Sequence, residues 1–232
     1  MNIVLVHGQN HKGSSYHIGR MLAEKISGEK EIREFFLPRD LNHFCLGCYR
    51  CLEDDGACPF YGEKHIITDA LEAADLMIFT TPNYCMGPSA SMKALIDLTF
   101  NYWMSHRPRP GMFRKKAAII STTAGMGANQ AIKAVARTLF YWGVPCIRRY
   151  GVSVQAKNWQ SVKAEKKSKI EKDITRLARR LSSPGLPKPG LKTRLVFRLM
   201  GKMQKSGWGS SPVEKQYWQE RGWLGKQRPW QD

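Results

Sequence analysis

Ile3-Val4-Leu5-Val6-His7-Gly8-Gln9-Asn10-His11-Lys12-Gly13-Ser14-Ser15-Tyr16 is the stretch that decides the fold. Its first four residues are an unbroken apolar run, the pattern of a strand buried on both faces. At His7-Gly8 the run breaks into a polar loop, beyond which Ile18, Met21, Leu22 and Ile26 recur on one face of a helix. A Gly- and Ser-rich loop between strand and helix makes a phosphate seat. Its backbone N–H groups and hydroxyls turn inward, and the helix start adds unpaired N–H donors and the positive dipole end. No Gly-Lys-Ser/Thr closes the loop, and the Gly-x-Gly-x-x-Gly spacing of a dinucleotide fold is missing. The phosphate of a flavin mononucleotide fits better, although the same turn would also serve as a plain strand-to-helix connection.

Outward from this unit the same alternation repeats. Strands are predicted over 3–7, 32–37, 76–80, 116–121 and 146–152, with 32–36 interrupted by polar residues as an edge strand should be. Helices are predicted over 18–26, 66–74, 92–102 and 132–140, and a last one carries Ile170, Ile174, Leu177 and Leu181 on one face. Five strand-helix units predict an α/β, doubly wound parallel sheet covered on both faces. In such a sheet ligands lie beyond the carboxyl ends of the strands, where the strand order reverses. The loops expected there are the first one, then Thr80-Thr81-Pro82-Asn83-Tyr84-Cys85-Met86-Gly87-Pro88-Ser89, then Ser121-Thr122-Thr123-Ala124-Gly125-Met126-Gly127. Both later loops mix small residues, which let backbone approach a flat ring, with polar groups suited to the edge of an isoalloxazine.

Four stretches carry a family resemblance: GQNHKGSSYH, CLGCYRCLEDDGAC, TTPNYCMGPSASMKALID and STTAGMG. Over residues 1–183 the chain resembles the flavodoxin-like NAD(P)H-dependent FMN reductases, including their iron-sulfur flavoprotein branch. The resemblance implies five parallel strands in the order 2-1-3-4-5. It implies FMN as cofactor, NAD(P)H as donor, and a quinone, flavin or similar small molecule as acceptor. The phosphate contacts carry over to Gln9, His11, Gly13, Ser14, Ser15 and Tyr16. The ring contacts carry over to Pro82, Asn83, Tyr84, Cys85, Met86 and Gly87, and to Thr123, Ala124, Gly125 and Gly127. Family members often have Ser, Arg and Thr where this chain has Gln9, His11 and Tyr16. Hydride transfer through a bound flavin needs no side-chain nucleophile, and none of the usual Ser/His/Asp or Cys/His arrangements is evident.

Cys45, Cys48, Cys51 and Cys58 crowd into one loop with two short spacings that resemble those wrapping a cubane cluster. The iron-sulfur branch places a [4Fe-4S] cluster on this motif, which would make the chain an electron carrier. A structural zinc and a reduced, metal-free loop near a subunit interface are the alternatives. Cys85 is expected in the ring loop and Cys146 in a strand core.

The net charge of +18 is uneven: residues 1–156 carry 18 Lys and Arg against 13 Asp and Glu, and 157–232 carry 19 against 6. Pro184, Pro187 and Pro189 mark a linker into a basic, aromatic-rich extension over 184–232. Within it, an amphipathic helix at about 190–205 is predicted, with Leu191, Leu195, Val196, Leu199 and Met203 on one face. That face, with Trp208, Tyr217, Trp218, Trp223 and Trp230, is expected to pack within the chain or across a homodimer or homotetramer, with a weak contact to an anionic membrane surface through the tail as the alternative. No nucleic-acid module accompanies the basic residues, so nucleic acid is not expected as a partner. Met1-Asn2 leads into a strand without a basic or cleavable segment, and no apolar run approaches the roughly 20 residues needed to span a bilayer, which predicts a cytoplasmic protein.

Overall fold

The structure, a computed structural model, describes residues 1–207, 209 and 211–231. Strand β1 (Asn2–His7) is buried from Ile3 onward, as an apolar run without polar alternation requires. It joins β2 (Glu31–Phe36), β3 (Leu76–Pro82), β4 (Lys116–Thr123) and β5 (Cys146–Ser153). Every neighbouring pair is parallel and the order is β2-β1-β3-β4-β5, as expected. The central strands β3 and β4 are almost wholly buried, whereas β2 and β5 are half-buried edges. Cys146 opens β5 and is therefore half-buried, which corrects its expected place in the core.

The helices are α1 (Ser14–Lys25), α2 (Arg50–Glu53), α3 (Tyr61–Ala73), α4 (Ala90–Leu98), α5 (Ala128–Tyr141), α6 (Ala164–Leu181), α7 (Leu191–Ser206) and α8 (Pro212–Glu220). One face of the sheet is covered by Ile18 and Leu22 of α1 with Ile170 and Ile174 of α6. The other is covered by Ile67 and Leu71 of α3, Met92 and Leu95 of α4, and Ile132, Val135 and Leu139 of α5. The helix expected over 92–102 ends at Leu98 and yields to a 3-10 turn, Phe100–Tyr102. The Thr99 hydroxyl bonds back to the Leu95 carbonyl (2.7 Å), and Tyr102 turns its hydroxyl to Glu72 (2.5 Å). No helix among the described residues is long and apolar enough to cross a membrane.

The carboxyl-terminal segment builds a third apolar cluster, in which Phe197, Tyr217, Trp218 and Trp223 pack with Met104 and Phe113, and Trp230 lies alongside. The Trp218 indole N–H donates to the His106 carbonyl and the Tyr217 hydroxyl to that of Pro108, both at 2.6 Å. Tyr217, Trp218 and Trp223 are thus buried within their own chain, and Trp230 is half-buried beside them. Trp208 lies outside the described residues. The predicted face of α7 is corrected in part: Val196 packs against the cluster, but the buried side is Thr193, Phe197, Gly201 and Gln204, while Leu191, Leu195 and Leu199 are exposed. Phe197 supplies the ring that stacks on Trp218 (4.7 Å between centroids). Gly201 faces that indole closely enough that a Cβ there would be in van der Waals contact with it, 3.4 Å from the Trp218 ring.

Candidate functional site

Parallel pairing puts the carboxyl ends of all five strands at one edge of the sheet, and the order reverses between β1 and β3. The loops at this switch point are stitched together by their own backbone. Gly8 N–H donates to Thr80 O (2.7 Å), tying the end of β1 to β3. Ser89, buried ahead of α4, donates its hydroxyl to Gly8 O (2.5 Å), accepts from Met92 N–H as the helix cap (3.3 Å), and donates its own N–H to Thr81 Oγ1 (2.9 Å). Asn83 N–H reaches Thr122 O (2.8 Å), and its side-chain amide donates to Met126 O (3.1 Å), joining the β3 and β4 loops.

The first loop ends at Gly13, the residue preceding α1, where no side chain caps the helix and no acidic residue sits in the first turn. The opening N–H groups of α1 are left free for an anion. Ser14 and Ser15 are buried at this end, with Gln9 and Gly13 half-buried and His11 exposed. The His11 ring folds over Gly13, so that a Cβ there would lie 2.8 Å from its Nε2. Lys12, which sequence reasoning passed over, extends above the Tyr16 ring (5.5 Å). Tyr16 itself packs on His7 (5.0 Å). His7, at the end of β1, bonds Thr80 through Nδ1 (2.9 Å) and Glu34 through Nε2 (2.8 Å). Burial holds its pKa below the usual histidine value, against the opposing pull of Glu34.

Tyr84, Cys85, Met86 and Gly87 form a tight turn closed by paired bonds between Tyr84 and Gly87. Cys85 and Met86 both take positive φ (48° and 61°), an uncommon state for side-chain-bearing residues that marks a constrained segment. Opposite them Gly127 has φ +97°, and a Cβ there would meet Asn83 Nδ2 and Met86 Sδ at 2.7 Å. Thr123 closes its loop onto Met126 O (2.9 Å), and Ser153 holds Ala124 O (3.0 Å). Pro82 and Asn83 are half-buried, whereas Ala124, Gly125 and Met126 are open. Asn83 Oδ1 is buried without a partner, an unmet acceptor in the rim.

The model of the family described as NADPH-dependent FMN reductase matches residues 1–158. The chain belongs to this family. An iron-sulfur flavoprotein of Archaeoglobus fulgidus is 27% identical over 115 residues, 49% of this chain and 50% of that protein. The chain thus spans half the length of that curated relative. Among solved structures, an FMN-dependent NADH-azoreductase from Bacillus anthracis in complex with FMN aligns with a TM-score of 0.58 at 12% identity, over 79% of this chain and all of that one. The NAD(P)H:(acceptor) oxidoreductase FerB from Paracoccus denitrificans aligns with a TM-score of 0.52 at 18% identity, over 78% and 96%. At these identities the two structures speak for the fold.

In this member of the FMN reductase family the loop after β2 holds Cys45, Cys48, Cys51 and Cys58 around one small apolar cavity with Leu46, Tyr49, Phe60, Leu98 and Phe100. Among the described residues no three His, Cys, Asp or Glu side chains are gathered closely enough to hold a metal ion, so the thiols border this space without converging on one point. Burial pushes the Cys51 thiol up to about 11. Arg107 donates to Cys51 O and, with Arg109 and Asn101, to Asp55. This clamp joins residues about fifty positions apart and has no local sequence signal. Gly8 and Ser89 were also missed, although a Gly ending a buried strand and a Ser preceding a helix are readable signs.

Proposed function

We propose that this chain is an FMN-dependent oxidoreductase that takes hydride from NAD(P)H and reduces a quinone, flavin or similar small acceptor. The observation that carries this reading is the single rim formed by the loops after β1, β3 and β4, with the uncapped start of α1 at one end and the unmet Asn83 acceptor in it. FMN, when bound, supplies a ring that accepts hydride and passes electrons on. Ser14 and Ser15 would hold its phosphate through backbone N–H groups and hydroxyls, with Lys12 offsetting the charge and the His11 ring beside the loop. Asn83 Oδ1 would accept from the ring's imide N–H, and the small residues Gly125 and Gly127 would let backbone N–H groups approach the charge of the reduced ring. A cytoplasmic homodimer or homotetramer is the proposed form; exposed Phe44, Leu46 and Tyr49 (68%, 67% and 65%) support association. Titration of FMN with the purified protein, followed by NAD(P)H oxidation in the presence of quinone, free flavin and azo acceptors, tests the proposal. Failure to bind FMN would refute it.

The second reading is an iron-sulfur flavoprotein electron carrier. It is supported by four thiols around one cavity and by the buried Lys64 ammonium, which has no hydrogen-bond partner. A [4Fe-4S] cluster able to relay single electrons would need Cys45, Cys48, Cys51 and Cys58 to draw together from the separated positions they hold here. Iron and acid-labile sulfide per chain, measured on anaerobically purified protein, separate the two readings.

A further inference from the structure

The packing of α7 leaves a surface that the flavin reading does not use. Thr193, Phe197, Gly201 and Gln204 anchor one side of this helix to the protein. At 100° per residue, Leu191, Leu195 and Leu199 project from the opposite side. They are 82%, 65% and 53% exposed, and Leu186, ahead of the helix, is 68% exposed. Three leucines one turn apart on a solvent face form a continuous apolar stripe, in contrast to apolar residues scattered singly. Arg198, Lys202 and Lys205 are exposed on the same helix. Between Asp173 and Glu214 the sequence has nine Lys and Arg and no Asp or Glu.

We infer that α7 is an interfacial helix through which the protein docks on an anionic membrane surface. The chemistry selects this occupant. A helix lying in the plane of a bilayer needs an apolar stripe that enters the acyl boundary and flanking cations with long stems that meet lipid phosphates. α7 presents both, and its opposite side is fixed by Trp218 and Phe113, so the stripe is displayed on a rigid support. A nucleic-acid backbone would engage the cations but offers nothing to cover three leucines. A second copy of this chain would bring the same cations against themselves. The inference rests on α7 alone and stands whether or not FMN binds. It places the protein where a lipid-dissolved acceptor is found.

Cosedimentation of the full chain with vesicles tests it, comparing phosphatidylcholine alone with phosphatidylcholine containing phosphatidylglycerol. The parent protein is expected to pellet with the anionic vesicles and to stay in solution with the neutral ones. The variant Leu191→Ser/Leu195→Ser/Leu199→Ser keeps every charge and alters only exposed side chains, so its thermal midpoint should match the parent. Its affinity for anionic vesicles should fall at least tenfold. Equal binding by this variant would overturn the inference, because adsorption would then be charge alone. Absence of parent binding would do the same. A parent dimer that the triple substitution converts to monomer in sedimentation velocity would show that the stripe is covered by a second copy, and would likewise refute membrane docking.

Discussion

Replacing Gly8 by alanine adds a methyl group where the chain leaves no room. The new Cβ would lie 2.6 Å from Ser89 Oγ, 3.1 Å from Thr80 O and 3.2 Å from Met92 Cβ. Ser89 cannot swing aside freely, because its hydroxyl donates to Gly8 O and caps α4 at Met92 N–H. Losing the cap costs about 1 kcal/mol, and the bond to Gly8 O about as much again. Retaining both overpacks the junction by about 1–3 kcal/mol. Either route predicts a loss of about 2 kcal/mol, a large share of the roughly 5–15 kcal/mol that holds such a domain together. The displaced loop is the proposed phosphate seat, so FMN affinity should fall about tenfold, equivalent to about 1.4 kcal/mol. Urea unfolding and flavin-fluorescence titration measure the two effects. Ser89→Ala removes the clashing hydroxyl, so the double variant should lose about 1 kcal/mol less than the sum of the singles. A Gly8→Ala protein with parental stability and affinity, or strict additivity in the cycle, would refute the stitched-rim account.

His7 is held neutral by burial, and its folded-state pKa lies below the unfolded value. The unfolded chain therefore takes up a proton first as pH drops below about 6.5, and stability should decline by up to about 1.4 kcal/mol per pH unit in that window. His7→Gln should make that slope shallower than the parent's in unfolding curves across pH, the remainder coming from His17, whose pKa burial also lowers. Thiol labelling near pH 8 followed by peptide mass spectrometry should find exposed Cys48 and Cys85 modified first and buried Cys51 last, its thiol being pushed up to about 11. Asp55→Ala, which strips Arg107 and Arg109 of their shared carboxylate, should bring Cys51 forward by at least tenfold; unchanged labelling order would count against the clamp. Trp218→Ala removes a fully buried ring together with its bond to His106 O, and should cost about 3–5 kcal/mol in urea unfolding.

Local pattern determined the sheet. Short runs rich in apolar residues, alternating with stretches of helical periodicity, are a property of adjacent residues, and that alternation predicts all five strands and their parallel class. The same locality made the three rim loops readable, because parallel strands must put their following loops at one edge. Tertiary structure alone decided the rest. Which face of α7 packs depended on Phe113 and Trp218, residues distant in sequence that left room for Phe197 and excluded the leucines. The Asp55 clamp and the Ser89–Gly8 bond likewise join positions whose pairing no window of sequence contains. Periodicity records that a side chain is apolar, but burial is settled by which other surface arrives to cover it.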